Sequence, residues 1–329
     1  MGFDVLAIGD TTIDAFIRLK DASVNCDINR ENCMLCMRFA DKIPYEFVEE
    51  VPAVGNAANA AVACARLGLK VAVRVHVGED ENGKKCIESF QKSGVDTSLI
   101  VTEKSNRTNY HYVLWYEDER TILIKHEHYN YSFPALAEPP KWLYLSSIGE
   151  GTLPYHNEIA AYLKANPAVK LAFQPGTFQM KLGADALKDL YAQTEILFCN
   201  KDEAQRILKT EEEDIKKLLQ GIRDIGPKIA VITDGRGGAY LESDEGSWRA
   251  PMYPDPAPPK ERTGAGDATS STTVAYIIKG LPPQEALLRG LINSANVVQE
   301  IGAQKGLLPS QKIEEWYTKR PVDFKATPI

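Results

Sequence analysis

Short apolar runs bounded by glycine or polar residues recur along the chain, and helical patterns separate them. "DVLAIG" (4–9), "VAVRVHVG" (71–78), "WLYLSS" (142–147), "VKLAFQ" (169–174), "EILFCN" (195–200) and "KIAVITDG" (228–235) read as strands. They are rich in β-branched and aromatic residues, which suit a pleated, buried surface. Residues 56–67, 82–93, 155–165 and 201–209 carry helical periodicity. This alternation restricts the fold to the α/β class: a doubly wound, mostly parallel sheet with helices on both faces. Ligands of such sheets bind outside the carboxyl ends of the strands.

Two regions break the rhythm, roughly 14–54 and 106–131. "NYHYVLWYEDERTILIKHEHY" places two alternating segments around a polar "EDER" turn, a hairpin signal that runs the second strand through "KHEHY". "DAFIRL" and "FVEEVPAV" are also strand-like. These insertions are expected to form a small β-sheet lid on a single domain spanning 1–329. "PDPAPPK" (254–260) reads as a stiff loop.

That loop leads into "ERTGAGDATSSTTVAYIIKG" (261–280). Glycine permits positive φ and close approach of a ligand to the backbone. A helix N-terminus leaves amide N–H groups unpaired and carries positive potential, so the two together make an anion site. Asp267 at this mouth either complements the helix dipole or acts as a general base beside a phosphate cradle.

Three other segments bear on that choice. "VGNAANAAVACARLG" (54–68) offers Gly55 for backbone access and Asn59 for a hydroxyl. "NKDEA" (200–204) puts Asn200 and Glu203 at a capping-box spacing that also suits a hydrated magnesium ion. "TDGRGG" (233–238) is either a hairpin turn or a place where Gly235 and Gly238 approach a nucleotide phosphate.

The four motifs, in this order, resemble the ribokinase family of carbohydrate kinases, also called the PfkB family, over nearly the whole chain. The resemblance implies a ribokinase-like fold and a kinase that uses ATP and Mg2+, with a requirement for K+ left open. It assigns Asp267 as catalytic base, with Gly264, Ala265 and Gly266 as the anion hole. It places Thr263, Thr233, Gly235 and Gly238 near the nucleotide phosphates, and Asn293 and Asn296 beside the nucleotide base. Asn200 and Glu203 organise magnesium. Asp14, Gly55 and Asn59 hold the acceptor, and Gln174 and Thr177 are candidates for substrate or phosphate contacts. Val54 stands where a first glycine is usual, and Arg262 where a small residue or proline is usual. The implied reaction is in-line transfer of the γ-phosphoryl group to a hydroxyl of a furanose or related sugar. A nucleoside of the adenosine, inosine or cytidine type is the alternative acceptor. A homodimer through the lid is expected.

Composition excludes other classes. With 38 basic and 45 acidic residues the net charge is −7, which argues against a nucleic-acid or acidic-membrane partner. "MGFDVLAIGD" enters a strand at once, without a secretory signal, and Leu6 breaks a myristoylation motif. No apolar run reaches membrane-spanning length. A cytoplasmic location is expected, with the six cysteines mostly reduced. Cys26, Cys33 and Cys36 have a spacing that also fits a metal, though a fourth ligand would have to come from elsewhere. His126 and His128 would share one face of a strand, as solvated or substrate-facing residues or as metal ligands. Tyr110, Tyr112, Trp115 and Tyr116 are candidates for lid packing or for stacking on a ligand. A non-catalytic sugar sensor would need a damaged base or anion hole, and Thr263 to Asp267 are intact. A nicotinamide-binding oxidoreductase would need G-x-G-x-x-G, which "IGDTTID" lacks.

Overall fold

A computed structural model describes residues 2–27, 33–117 and 119–329. The main sheet has nine strands in the order Thr327–Pro328, Gly246–Ala250, Ala239–Ser243, Ile229–Thr233, Thr194–Asn200, Lys170–Phe173, Trp142–Leu145, Val5–Ile8 and Val71–Arg74. Pairing is parallel from Val71–Arg74 across to Ile229–Thr233, and antiparallel beyond.

Side chains alternate across the pleat and so feed two cores. Val5 and Ala7 join the helices Asn56–Arg66, Glu81–Lys92, Ala265–Ile278 and Pro283–Val297 on one face. Leu6 and Ile8 join Leu153–Ala165, Lys201–Leu208 and Ile215–Asp224 on the other. The doubly wound reading therefore holds.

The helix Ala265–Ile278 is buried from Asp267 to Tyr276 although it carries a Thr-Ser-Ser-Thr-Thr run. Leaving a buried hydroxyl unpaired costs about 1–3 kcal/mol. Here Thr269 donates to the carbonyl of Ala265 (2.9 Å), Ser270 to that of Gly266 (2.9 Å) and Thr273 to that of Thr269 (2.7 Å). Small side chains also let Pro283–Val297 pack close. A Cβ on Gly290 would sit 2.5 Å from the carbonyl oxygen of Thr269.

A separate four-stranded sheet runs in the order Glu119–Leu123, Tyr110–Tyr116, Thr12–Leu19, Tyr45–Val54. It contains the expected hairpin, but two details differ. Its first strand starts at Thr12, and the second hairpin strand stops at Leu123, so "KHEHY" is irregular and places His126 and His128 on no shared face. The expected strand 71–78 also divides. Val71–Arg74 stays in the main sheet, whereas His76–Gly78 turns away to pair with Val101–Glu103.

One cysteine pair departs from the expected reduced state. Ser23–Asn25 and Met34–Cys36 form a small hairpin whose register brings Cys26 and Cys33 opposite each other, with Cα atoms 4.0 Å apart, and they form a disulfide. Cys36, Cys64, Cys86 and Cys199 are free thiols. Among the described residues no group of three or more His, Cys, Asp or Glu is arranged to hold a metal on its own.

Candidate active site

Gly264 begins the helix Ala265–Ile278 in the left-handed region (φ 80°). A Cβ there would lie 2.4 Å from the Cβ of Ala303, so the fold itself demands glycine. Gly266 is different. It has no positive φ, and a Cβ there would meet nothing within 4 Å. Protein packing gives no reason for glycine at 266. No side chain caps this helix, so its first-turn N–H groups remain available.

Asp267 occupies the same first turn and is buried. Its Oδ1 accepts from Asn56 Nδ2 (2.8 Å) and Gln174 Nε2 (2.9 Å), and its Oδ2 from Asn59 Nδ2 (2.7 Å). Gln174 is fixed in turn by the hydroxyl of Tyr144, which donates to its Oε1 (2.6 Å). Asn59 Oδ1 accepts from Gln304 Nε2 (3.0 Å). Asn59, expected as an acceptor contact, and Gln174, expected as a substrate or phosphate contact, thus hold the carboxylate in this structure. Asn56 does the same and was missed, although its place beside Gly55 at a helix start was visible.

Gly55 starts its helix at φ 108°, and a Cβ there would lie 2.8 Å from the carbonyl oxygen of Asp10. Val54 needs no glycine, because the positive φ falls one residue earlier, at Ala53 (φ 59°).

Asp267 lies on the floor of a cleft of about 510 Å³ between the main sheet and the small one. Asp14, Gly55, Asn59, Thr177, Asn200, Glu203, Thr233 and Thr263 to Gly266 all line it. Asp10, His111, Arg120 and His126 line it as well. Sequence reasoning passed over Asp10, His111 and Arg120. Asp10 shares "GDTTID" with Asp14, while His111 and Arg120 sit among the aromatic and acidic residues that drew attention to the hairpin. Asp14 Oδ1 lies 3.4 Å from His111 Nδ1.

A second cavity of about 130 Å³ adjoins the first and shares Thr233, Arg262, Ala265, Gly266 and Thr269 with it. Gly235 and Gly238 border it, at φ 47° and 92°. They also make the hairpin turn between antiparallel Ile229–Thr233 and Ala239–Ser243, so the hairpin reading of "TDGRGG" holds.

Asn293 and Asn296 do not border this cavity. Asn293 is fully buried, donating to Thr272 Oγ1 (2.7 Å) and accepting from Leu308 N (2.7 Å). Asn296 donates to the carbonyl of Gly306 (2.7 Å). Their helix presents Leu291, Ser294 and Ala295 to the cavity instead, followed by Val298 just past its end. The error was one of helical phase.

Asn200 and Glu203 form the capping box. Asn200 Oδ1 accepts from Glu203 N (2.8 Å), and Glu203 Oε2 accepts from Asn200 N (2.9 Å). Burial pushes the Glu203 carboxyl above its usual range, and Asp267 adds to the rise.

The expected stacking aromatics lie elsewhere. Tyr110 donates to Glu50 Oε1 (2.6 Å), and Trp115 lies under Arg18, 4.4 Å from ring centroid to guanidinium. Neither Tyr112 nor Tyr116 lines the cleft.

Comparison with known proteins shows the family and the fold. The profile described as pfkB family carbohydrate kinase matches residues 38–311. An ATP-dependent 6-phosphofructokinase of Thermoanaerobacterium thermosaccharolyticum is 26% identical over 282 residues, covering 80% of this chain and 84% of that protein. The Methanocaldococcus jannaschii nucleoside kinase, an archaeal member of the ribokinase family, superposes with TM-score 0.76 at 18% identity, covering 97% of this chain and 100% of that one. A putative ribokinase II from E. coli, in complex with ATP and Mg2+, gives TM-score 0.74 at 17% identity, covering 97% and 100%. The chain belongs to the pfkB family of carbohydrate kinases.

Proposed function

We propose that this enzyme is an ATP- and magnesium-dependent sugar kinase in which Asp267 is the general base. The carrying observation is the Asp267 carboxylate, held by three side-chain amides beside the uncapped start of its own helix. A carboxylate so placed takes the proton of an acceptor hydroxyl, while the helix N–H groups and dipole stabilise charge on the transferring phosphoryl group. ATP is assigned to the second cavity, with its phosphates toward Thr233, Thr263 and Gly266. The oxygen donors of Asn200 and Glu203 suit a hard, hydrated cation. Magnesium there would neutralise phosphate charge as the bond breaks. The small sheet serves as a lid that excludes water, and the protein forms one kinase domain.

The acceptor end supports a sugar over a nucleoside. It is lined by Asp10, Asp14, His111 and His126, and the aromatic residues of the lid do not face it. The outer lid surface is apolar and open, with Tyr112 48% and Leu123 51% exposed, and this supports pairing of two copies there.

A panel of sugars and nucleosides with magnesium-ATP, read as ADP release above water background, tests the reading. Turnover of sugars is the expected result, and turnover of nucleosides alone would remove it. The Glu203 carboxyl gives a pH test. Its raised folded value means that it takes up a proton at a higher pH than an ordinary glutamate does, and a protonated carboxyl is a poor cation ligand. The magnesium concentration for half-maximal rate should therefore rise as pH falls toward that range. In Glu203→Gln it should be higher at every pH and lose most of this dependence. An unchanged pH dependence in the variant would end the assignment.

A further inference from the structure

Histidine 126 lines the cleft, and the mechanism above does not use it. Its Nδ1 lies 3.0 Å from Asp10 Oδ2. That oxygen also accepts from Gly149 N (2.8 Å), and Asp10 Oδ1 accepts from the hydroxyl of Tyr131 (2.5 Å). Asp10 is therefore a buried carboxylate fixed from three directions. The support continues inward. The ring of His76 packs 4.7 Å from that of Tyr131, and His76 Nδ1 lies 2.8 Å from Glu103 Oε1. Asn106 Nδ2 (2.9 Å) and the backbone N–H of Asn130 (2.8 Å) donate to the carboxylate of Glu103. Burial raises the Tyr131 phenol, so it stays a proton donor to Asp10.

A carboxylate accepting at Nδ1 fixes the tautomer of a neutral imidazole, with hydrogen on Nδ1 and a lone pair on Nε2. The ring is further held edge-on by Phe178, 5.5 Å away at 90°, and by His111, 5.4 Å away at 62°. Flipping it would break the bond to Asp10, and hydrogen bonds to charged groups are worth about 1.5–3 kcal/mol. Among the described residues Nε2 has no hydrogen-bond partner, and it is not sealed from solvent. In the neutral ring one lone pair is thus presented to the cleft in a set direction.

We propose that His126 is a specificity-determining residue whose Nε2 accepts a hydrogen bond from a hydroxyl of the acceptor, and that Asp10 is its positioning residue. This rests on the sugar-kinase reading. Together with the carboxylate of Asp14, it gives the acceptor end two separate hydrogen-bond acceptors. The ligand class is then a neutral polyol with at least two hydroxyls besides the one phosphorylated. A nucleobase carbonyl or a substrate carboxylate would be repelled at both points.

Two measurements on the full chain test this. The first needs no turnover. In a long-range 15N–1H correlation spectrum at about pH 8, above the ordinary imidazole range, His126 should show the Nδ1–H form, its signal assigned by loss in His126→Gln. Asp10→Asn should mix or invert that tautomer. An Nε2–H signal in the unaltered chain overturns the proposal whatever the activity. The second uses D-ribose and D-fructose as acceptors. His126→Phe should raise the acceptor KM about 10- to 100-fold, which corresponds to leaving one polar group unpaired, with KM for ATP and kcat changed less than about threefold. His126→Gln, which returns a polar group near Nε2, should recover most of the loss. Equal effects on both KM values, or none, also overturn it. If the unaltered chain phosphorylates neither sugar but does phosphorylate nucleosides, the sugar-kinase reading falls and the hydroxyl-reading role falls with it. Sugar turnover with the wrong tautomer removes this proposal alone.

Discussion

Asp267→Asn is expected to lower kcat about 10³-fold, within the range for loss of a positioned general base. The variant keeps size and shape but lacks a proton-accepting carboxylate. It also replaces one acceptor oxygen by an NH2 group that faces the amide donors of Asn56, Asn59 and Gln174. A stability loss of about 1–3 kcal/mol should accompany the kinetic loss, because one buried donor is left without an acceptor. Unfolding in urea separates the two effects: at 25 °C the variant should remain folded and bind ATP with ordinary affinity. Near-normal turnover in magnesium-ATP would show that another group takes the proton.

The two glycines of the anion hole should respond in opposite ways. Gly264→Ala forces a Cβ into the left-handed region and to 2.4 Å from Ala303. Strain and overpacking together predict a loss of about 2–4 kcal/mol. Gly266→Ala meets no neighbouring atom, and alanine is the better helix former by up to about 1 kcal/mol. That variant should be as stable as the parent or more so. Its methyl group nonetheless stands where the phosphate is assigned, so kcat should fall about 10²-fold, comparable to losing one oxyanion donor. Denaturation midpoints and turnover measured on the same samples decide the matter. An active Gly266→Ala would show that no phosphate approaches the backbone at that point.

Residues whose role is local were the ones legible in the sequence. Gly264 to Asp267 are contiguous, and helix-terminus chemistry works within one turn, so the string of letters carries the proposed site. The strands were legible for the same reason, since each apolar run is its own signal. What failed depended on phase or on long-range register. Asn293 and Asn296 lie on the helix that borders the second cavity but point elsewhere, and a phase shift of one residue is invisible without the packing partner. Asn56 and Asn59 bond to a carboxylate more than two hundred positions away. Nothing near them in the chain distinguishes an acceptor contact from a support for Asp267. The Cys26–Cys33 pairing depended on two strands of three residues each, below the length at which periodicity can be read.

The placement of Trp115 has an optical consequence. Of the four tryptophans, Trp142 and Trp248 are in the main sheet and Trp316 stacks on Tyr253, 5.8 Å away, in the layers around it. Trp115 alone is on the small sheet, with the guanidinium of Arg18 over its ring and Phe47 edge-on at 6.0 Å. Its emission therefore samples the polarity around that sheet, while the other three report on the main body of the fold. The chain carries its own fluorescent gauge of the small sheet, and no extrinsic dye has to be attached to follow it.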